Sequence, residues 1–498
     1  MKISCWVKEN SITLTLTMFS IIYVTICSFC FNLGLSPDST NYLRQANALM
    51  LGYGFNNHAG AGLDGFYGIW PIGYSALIAL VAFVTGVEVF YAAKFITIGI
   101  YVVTAIMFVK RFGRNAWVYL MFFCNSGYIY CMQYVSSENL YLFAMLWFSF
   151  SVYDVWSEKG NENKNCIRIG LASLFAILSR WVGAFTLAIT GLMAVLSFFG
   201  ITMKKNRSKA FKLLGITVIN ALILLCYLSC IKEATGYMTG MYRIPSEESK
   251  LWLLEMLIKA ETMEIYSAMF GVFSVNNVVA VFLWIGLFCY LIRAMVKDKL
   301  SDKFPPAFIL TGVTYWCGYV YTRFQTDMEI FNYRVLLPAT LSLIVTITYY
   351  LLKNENVLQF VNGFQTSRRK RVVLTVVLFV LCFELHNGCS ILGKPYDAYG
   401  TMVKRIEEAY KNIPSGSLVI TEDWEINFLR MDLKRCSVFD CDSDQLDDIV
   451  YNMNNTDYSH VYLQKAYLEY LLSMEEDENS YPELREYLNT DEYLIQLR

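Results

Sequence analysis

Long apolar runs recur along this chain, and Lys and Arg cluster in every second gap between them. A helix that crosses a bilayer needs roughly 20 apolar residues, and the Lys/Arg bias of short loops sets which side each loop faces. With Lys2 and Lys8 cytoplasmic, spans are expected at about 11–34, 89–109, 115–134, 139–156, 167–181, 183–200, 211–231, 274–292, 307–322, 335–352 and 372–390. That gives about eleven transmembrane helices. The cytoplasmic gaps hold Lys110/Arg111/Arg114, Lys159/Lys164/Arg168, Lys204/Lys205/Arg207/Lys209/Lys212, Arg293/Lys297/Lys299/Lys303 and Lys353/Arg368/Arg369/Lys370/Arg371. With the N-terminus they account for 22 of the 31 Lys and Arg in residues 1–390, so adding or removing one span would break the asymmetry. The apolar run 69–85 has no basic cluster behind it. It is therefore expected as a juxtamembrane helix inside a first outer loop, residues 35–88. The expectation is a multi-pass α-helical protein of the plasma membrane with a cytoplasmic N-terminus.

Charge supports a second region. Only 17% of the 498 residues are charged, against about 25% in ordinary soluble domains. Residues 1–390 carry 31 Lys and Arg against 20 Asp and Glu, whereas residues 391–498 carry 10 against 22. A shift of that size divides a basic-flanked membrane domain, 1–390, from an acidic, extracytoplasmic one, 391–498. The tail alternates helix-like stretches (about 399–411, 443–453, 464–474) with β-rich runs at 418–421, 437–439 and 460–463, the pattern of a small α/β domain. The first apolar run lacks a small-residue cleavage site and is expected to be retained.

Several function classes lose support. Most of the 14 cysteines lie in apolar runs as small hydrophobes. Cys27-Ser-Phe-Cys30 has no second pair to complete a zinc site, and pairing of Cys436 with Cys441 stays open. His58, His386 and His460 are too scattered for a metal cluster, so no metal site is expected. The string GxGxxG occurs at 60–65 without a preceding strand and reads as a loop, not a dinucleotide site. The basic clusters are topogenic, which leaves no nucleic-acid surface.

The candidate chemistry lies on the outer side. Asp38 follows the first span in Leu35-Ser-Pro-Asp-Ser-Thr-Asn-Tyr-Leu-Arg44. Ser36-Pro-Asp-Ser-Thr40 also starts a helix, with Ser or Asp as cap and Tyr42, Ala46 and Leu49 on one apolar face. A carboxylate partly desolvated by aromatic neighbours is a useful general base, and capping does not exclude that role. Glu138 stands in an outer turn, where an acid also favours the helix that follows. Asp64 lies in the glycine-rich loop and is either a turn residue or an acceptor contact. Arg180 closes an apolar run, where an unpaired cation costs roughly 2.5–3.5 kcal/mol. Arg243 and Arg334 share its side. Three guanidiniums there suit a phosphate; the alternatives are snorkelling or pairing with Asp38, Glu138 or Asp327.

The order of short motifs resembles the GT-C superfamily of membrane glycosyltransferases, in particular the family 39-like branch of protein O-mannosyltransferases and lipid A aminoarabinose transferases. The matching pieces are Pro37-Asp-Ser-Thr-Asn-Tyr42 through Gly52-Tyr-Gly-Phe55, Trp70-Pro-Ile-Gly-Tyr74, Ser137-Glu-Asn-Leu-Tyr141, Ser179-Arg-Trp-Val-Gly183 and Asn332-Tyr-Arg-Val-Leu-Leu-Pro338. The resemblance implies a polyprenyl-phosphate sugar as donor and Asp38 as the base that deprotonates an acceptor hydroxyl on a glycan, lipid or protein. It implies further that Glu138 helps bind acceptor or orders the site, and that Arg180 or Arg334 holds the lipid phosphate. Tyr42, Asp64 and Arg243 join the expected substrate contacts. Many members have two adjacent acids in the first loop; here Asp38 is followed by Ser39, which leaves a divalent cation without indication. A transporter or flippase for cell-envelope precursors is the competing class, since intramembrane charges can also mark a pathway. An assembly subunit that binds through the acidic tail is a third. The transporter reading lacks the internal repeats such folds often show.

Overall fold

The structure is a computed structural model that describes residues 6–7, 9–31, 34–55, 68–124, 126–270, 277–298, 302–366, 372, 398–436, 446, 449, 458–473, 481–489 and 492–497. The expected span 372–390, the loop with Asp64, the run 437–439 and Cys441 fall wholly or almost wholly outside the described residues. The chain forms two compact units. One comprises residues 1–26, 68–74 and 94–395, the other 27–67, 75–93 and 396–498.

Helices account for most of the chain. In order they are α1 (Ser11–Cys30), α2 (Pro37–Met50), α3 (Gly73–Thr85), α4 (Val89–Phe112), α5 (Ala116–Tyr119), α6 (Ser126–Gln133), α7 (Ser137–Trp156), α8 (Glu162–Ser179), α9 (Phe185–Phe199), α10 (Arg207–Thr235), α11 (Lys250–Phe270), α12 (Asn277–Asp298), α13 (Phe304–Gln325), α14 (Tyr333–Leu352) and α15 (Glu355–Thr366). Among the described residues, five helical stretches are long and apolar enough to cross a membrane: Ser11–Cys30, Val89–Phe123, Trp181–Phe199, Arg207–Thr235 and Arg334–Leu352. The juxtamembrane run is the shorter apolar helix α3.

One stretch differs from expectation, and one helix falls where no element is expected. Residues 115–134 are not one helix but α5, a 3-10 segment Leu120–Cys124, and α6. Leu120, Phe122 and Phe123 are all buried there. The Phe122 and Phe123 rings meet Tyr101, Phe108 and Tyr128 in edge contacts. Burial of adjacent residues suits the tighter 3-10 winding better than a one-faced α-helix. Between the expected spans 211–231 and 274–292 lies α11, whose Leu253 and Leu257 are buried against Tyr141, Tyr315, Tyr319 and Val335.

In the first unit, polar side chains stitch the helices where backbones run close. Asn220 on α10 donates to the Gly170 carbonyl of α8 (3.0 Å), and Ser173 on α8 shares a hydrogen bond with Thr186 on α9 (2.7 Å). Basic residues from the expected cytoplasmic gaps find acids. Arg111 pairs with Asp154, Lys212 with Glu162 (2.7 Å) and Lys353 with Asp298 (3.0 Å).

The second unit ends in a four-stranded sheet of order β2-β1-β3-β4. Its elements are α16 (Tyr399–Ala409), β1 (Leu418–Ile420), α17 (Ile426–Leu429), β2 (Lys434–Cys436), β3 (Val461–Gln464), α18 (Lys465–Ser473), α19 (Pro482–Arg485) and β4 (Leu494–Gln496). β1 pairs in parallel with β2 and β3, and β4 returns antiparallel to β3. Leu418, Ile420, Val461, Leu463, Leu468, Leu472 and Ile495 form one buried core. Strand β2 at 434–436 ends just before the run expected at 437–439, which lies outside the described residues. Two stretches from the first outer region belong to this unit. Tyr399 stacks on Phe90 with ring centroids 3.8 Å apart and donates to Glu88 Oε1 (2.5 Å). The helix α2 rests on α17.

Candidate active site

The Glu138 site is built from three chain breaks in the first unit. Glu138 lies in the first turn of α7, Arg180 in the kink between α8 and the 3-10 segment Trp181–Ala184, and Arg334 in the first turn of α14. Their side chains meet: Arg180 and Arg334 both bind Glu138 Oε1. The Glu138 side chain is only 2% exposed. Two guanidiniums on one carboxylate offset the cost of burying it. Arg334 also lies 3.5 Å from Glu329 Oε2, so two acids balance the two cations.

Local sequence sets each position. Arg180 has extended backbone (φ −151°, ψ 143°), and its N–H closes the last turn of α8 on Ala176 O. The return three residues later demands glycine: a Cβ at Gly183 would lie 2.3 Å from the Ala176 oxygen. Asn332 caps α14 by accepting from the Arg334 and Val335 N–H groups (2.9 and 3.3 Å). Behind the ion cluster sit Tyr141, Tyr315 and Tyr319, with the Tyr315 hydroxyl donating to Val335 O (2.6 Å). Glu138 Oε2 is buried and has no hydrogen-bond partner among the described residues.

Arg243 stands differently. It is half-buried, and its Nε donates to Thr239 Oγ1 (3.1 Å). Burial pulls its pKa below the ordinary arginine value, and arginine still keeps its charge. No carboxylate among the described residues pairs with it. Its strand-like segment is fixed at both ends. Gly240 (φ 77°) packs so tightly that a Cβ would fall 2.2 Å from the Gly68 carbonyl carbon. Beyond it, Ser246 N–H donates to Gln325 O (3.1 Å) and Asp327 N–H to Ile244 O (2.7 Å).

Sequence reading passed over Arg323. It is completely buried near the end of α13 and pairs with Glu248. Asp327 lies 3.8 Å away. The signal was present, since a cation inside an apolar run needs an anionic partner. Arg323 anchors the segment that carries Arg243.

Asp38 and Tyr42 belong to the second unit. Ser36 is the cap of α2, accepting from Ser39 N–H (3.2 Å), and Pro37 opens the helix. Asp38 falls in the first turn, half-buried, and Tyr42 one turn later is buried. Asp64 lies outside the described residues. Among those residues no group of three or more His, Cys, Asp or Glu side chains is arranged to hold a metal ion.

No protein-family model matches the chain, and no curated protein matches it. Solved structures do. ArnT from Cupriavidus metallidurans bound to undecaprenyl phosphate superposes with a TM-score of 0.53 over 92% of this chain and 94% of that one, at 12% identity. Its apo form gives 0.54 over 89% and 91%, also at 12% identity. The chain has the GT-C fold. The apo oligosaccharyltransferase of Archaeoglobus fulgidus, a second GT-C protein, gives 0.50 over 96% of this chain and 72% of that one, at 10% identity. At such identities the likeness is one of fold.

Proposed function

We propose that this GT-C protein is a membrane glycosyltransferase that moves a sugar from a polyprenyl-phosphate donor to an acceptor hydroxyl on the extracytoplasmic face. The observation that carries the reading is the fold shared, over nearly the whole of both chains, with an ArnT that binds undecaprenyl phosphate. The arrangement of about eleven spans, the cytoplasmic N-terminus and an extracytoplasmic tail from about residue 391 form part of the same reading. They rest on the Lys/Arg distribution.

In the proposed reaction Asp38 takes the proton of the acceptor hydroxyl. The acceptor oxygen attacks the anomeric carbon, and the bond from that carbon to the phosphate oxygen breaks. The polyprenyl phosphate leaves with the electron pair, and displacement inverts the anomeric centre. A phosphate leaving group needs charge stabilisation more than a proton. Arg243 suits that task best of the three outer arginines, because Arg180 and Arg334 already share Glu138. The Glu138 cluster holds α7, α8 and α14 in register, and its Oε2, which has no partner among the described residues, is a contact for an acceptor hydroxyl.

The test is transfer by purified protein in lipid nanodiscs supplied with polyprenyl-phosphate sugars. Wild type is expected to release polyprenyl phosphate, and Asp38→Asn to release none while keeping its melting temperature. Full activity of Asp38→Asn would remove the base from the mechanism.

A further inference from the structure

The tail has no role in the reaction as written, yet its contacts single out one element of the second unit. Thr40, Arg44, Asn47 and Ala48 recur at helical spacing on α2, and all four meet α17 or the residues beside it. Asn427 Nδ2 donates to Thr40 Oγ1 (3.2 Å), and Asn427 Oδ1 accepts from Arg44 (3.5 Å). Asn47 Nδ2 donates to the Phe428 carbonyl (3.1 Å), and Ala48 packs on Met431. Thr40 and Asn427 are both buried. Asn427 therefore bridges two successive turns of the helix that carries Asp38 in its first turn.

At 100° per residue, Asp38 lies about 130° round the helix from the centre of that stripe. The face held by α17 and the face bearing the carboxylate are thus separate. We infer that Asn427 is a positioning residue: through Thr40 and Arg44 it sets the rotation of α2 about its axis and so aims the Asp38 carboxylate. This rests on the reading of Asp38 as the base. A carboxylate about 5–6 Å from the helix axis moves about 1 Å for each 10° of rotation. A misplacement of about 1 Å can cost about a hundredfold in rate. Bonds within the helix and to its flanks (Ser39 N–H to Ser36 Oγ, Arg44 to Asn41 Oδ1, Gln45 to Gly54 O, Tyr53 N–H to Ala48 O) stay local to α2, whereas the Asn427 contact ties it to a second element.

The experiment compares full-length wild type, Asn427→Ala, Thr40→Val and Thr40→Ser in nanodiscs. Asn427→Ala and Thr40→Val are expected to lower kcat at least tenfold with donor and acceptor KM within about twofold of wild type. Thr40→Ser, which keeps the accepting hydroxyl, should retain wild-type kcat. Amide hydrogen exchange in residues 38–50 should speed up in the first two variants and not in the third. Unchanged kcat, or a change confined to KM, overturns the inference. Should Asn427→Ala not fold, the Thr40 pair decides alone. If wild type transfers no sugar from any polyprenyl phosphate, the proposed function falls, and the exchange rates still decide whether α17 holds α2.

Discussion

At the scale of single residues, the arginines separate by what neutralises them. Removing Arg243 deletes a cation that has no carboxylate partner among the described residues. Arg243→Ala is expected to raise the donor KM about 10–100-fold, the worth of a charge-assisted hydrogen bond, while the melting temperature stays within a degree or two. A donor KM at the wild-type value would take Arg243 out of the phosphate site. Glu138→Gln should do the reverse. It leaves Arg180 and Arg334 facing each other without their shared acid, and breaking such a buried pair costs about 3–5 kcal/mol. A loss of several degrees in thermal unfolding is the expected result; equal stability would mean that the cluster is open to water. In the sequence Arg180 stands out as a cation too costly to stand alone, while Glu138 reads equally as a helix-favouring acid and Arg334 as an interfacial cation. Which charge meets which is not legible there, because Glu138 and Arg334 lie 196 residues apart and periodicity carries no such information. Arg243 read as one cation among three, and only the structure sets it apart.

Elements show the same division. Apolar length and basic flanks place most helices correctly, since both are local properties. They do not register winding, so the run 115–134 reads as one helix although it contains a 3-10 segment between α5 and α6. Helix α11 is hidden for a different reason, because charges at Glu255, Lys259 and Glu261 dilute its apolar signal. The kink at Arg180 gives a direct test. Gly183→Ala places a methyl against the Ala176 carbonyl, and accommodating it should cost about 1–3 kcal/mol. Transfer activity should fall with it, as Arg180 leaves Glu138. In the tail, Arg430 binds both oxygens of Asp432 (2.8 Å each), and hydrogen bonding from Arg430 holds the Asp432 carboxyl below its ordinary pKa. A carboxylate with a depressed folded pKa stabilises above its unfolded pKa of about 4, and that contribution is lost as pH falls through the folded value. The Asp432→Asn variant should therefore lose stability at neutral pH and show a weaker dependence below about pH 4.

For the whole molecule, the alternation of basic gaps predicts which loops stay inside. A green fluorescent protein fused after residue 205 should fluoresce, and an alkaline phosphatase fused after residue 247 should be active. The opposite pair of results would invert the topology. Fold class was legible because the bilayer restricts a chain to few solutions; the partition into units was not. Sequence suggests a membrane domain followed by a tail, whereas the second unit gathers residues 27–67, 75–93 and 396–498. That arrangement has a cost during synthesis. A ribosome adding about 5–20 residues per second takes roughly 15–60 s to cover the roughly 300 residues between the early pieces and the late one. Throughout that interval α2 has been made and its partner α17 has not. A chain cut short before residue 396 would keep the Glu138 cluster and never receive the surface that covers Thr40. On the proposed role of Asp38, products that stop before α17 should transfer sugar no faster than Asn427→Ala does.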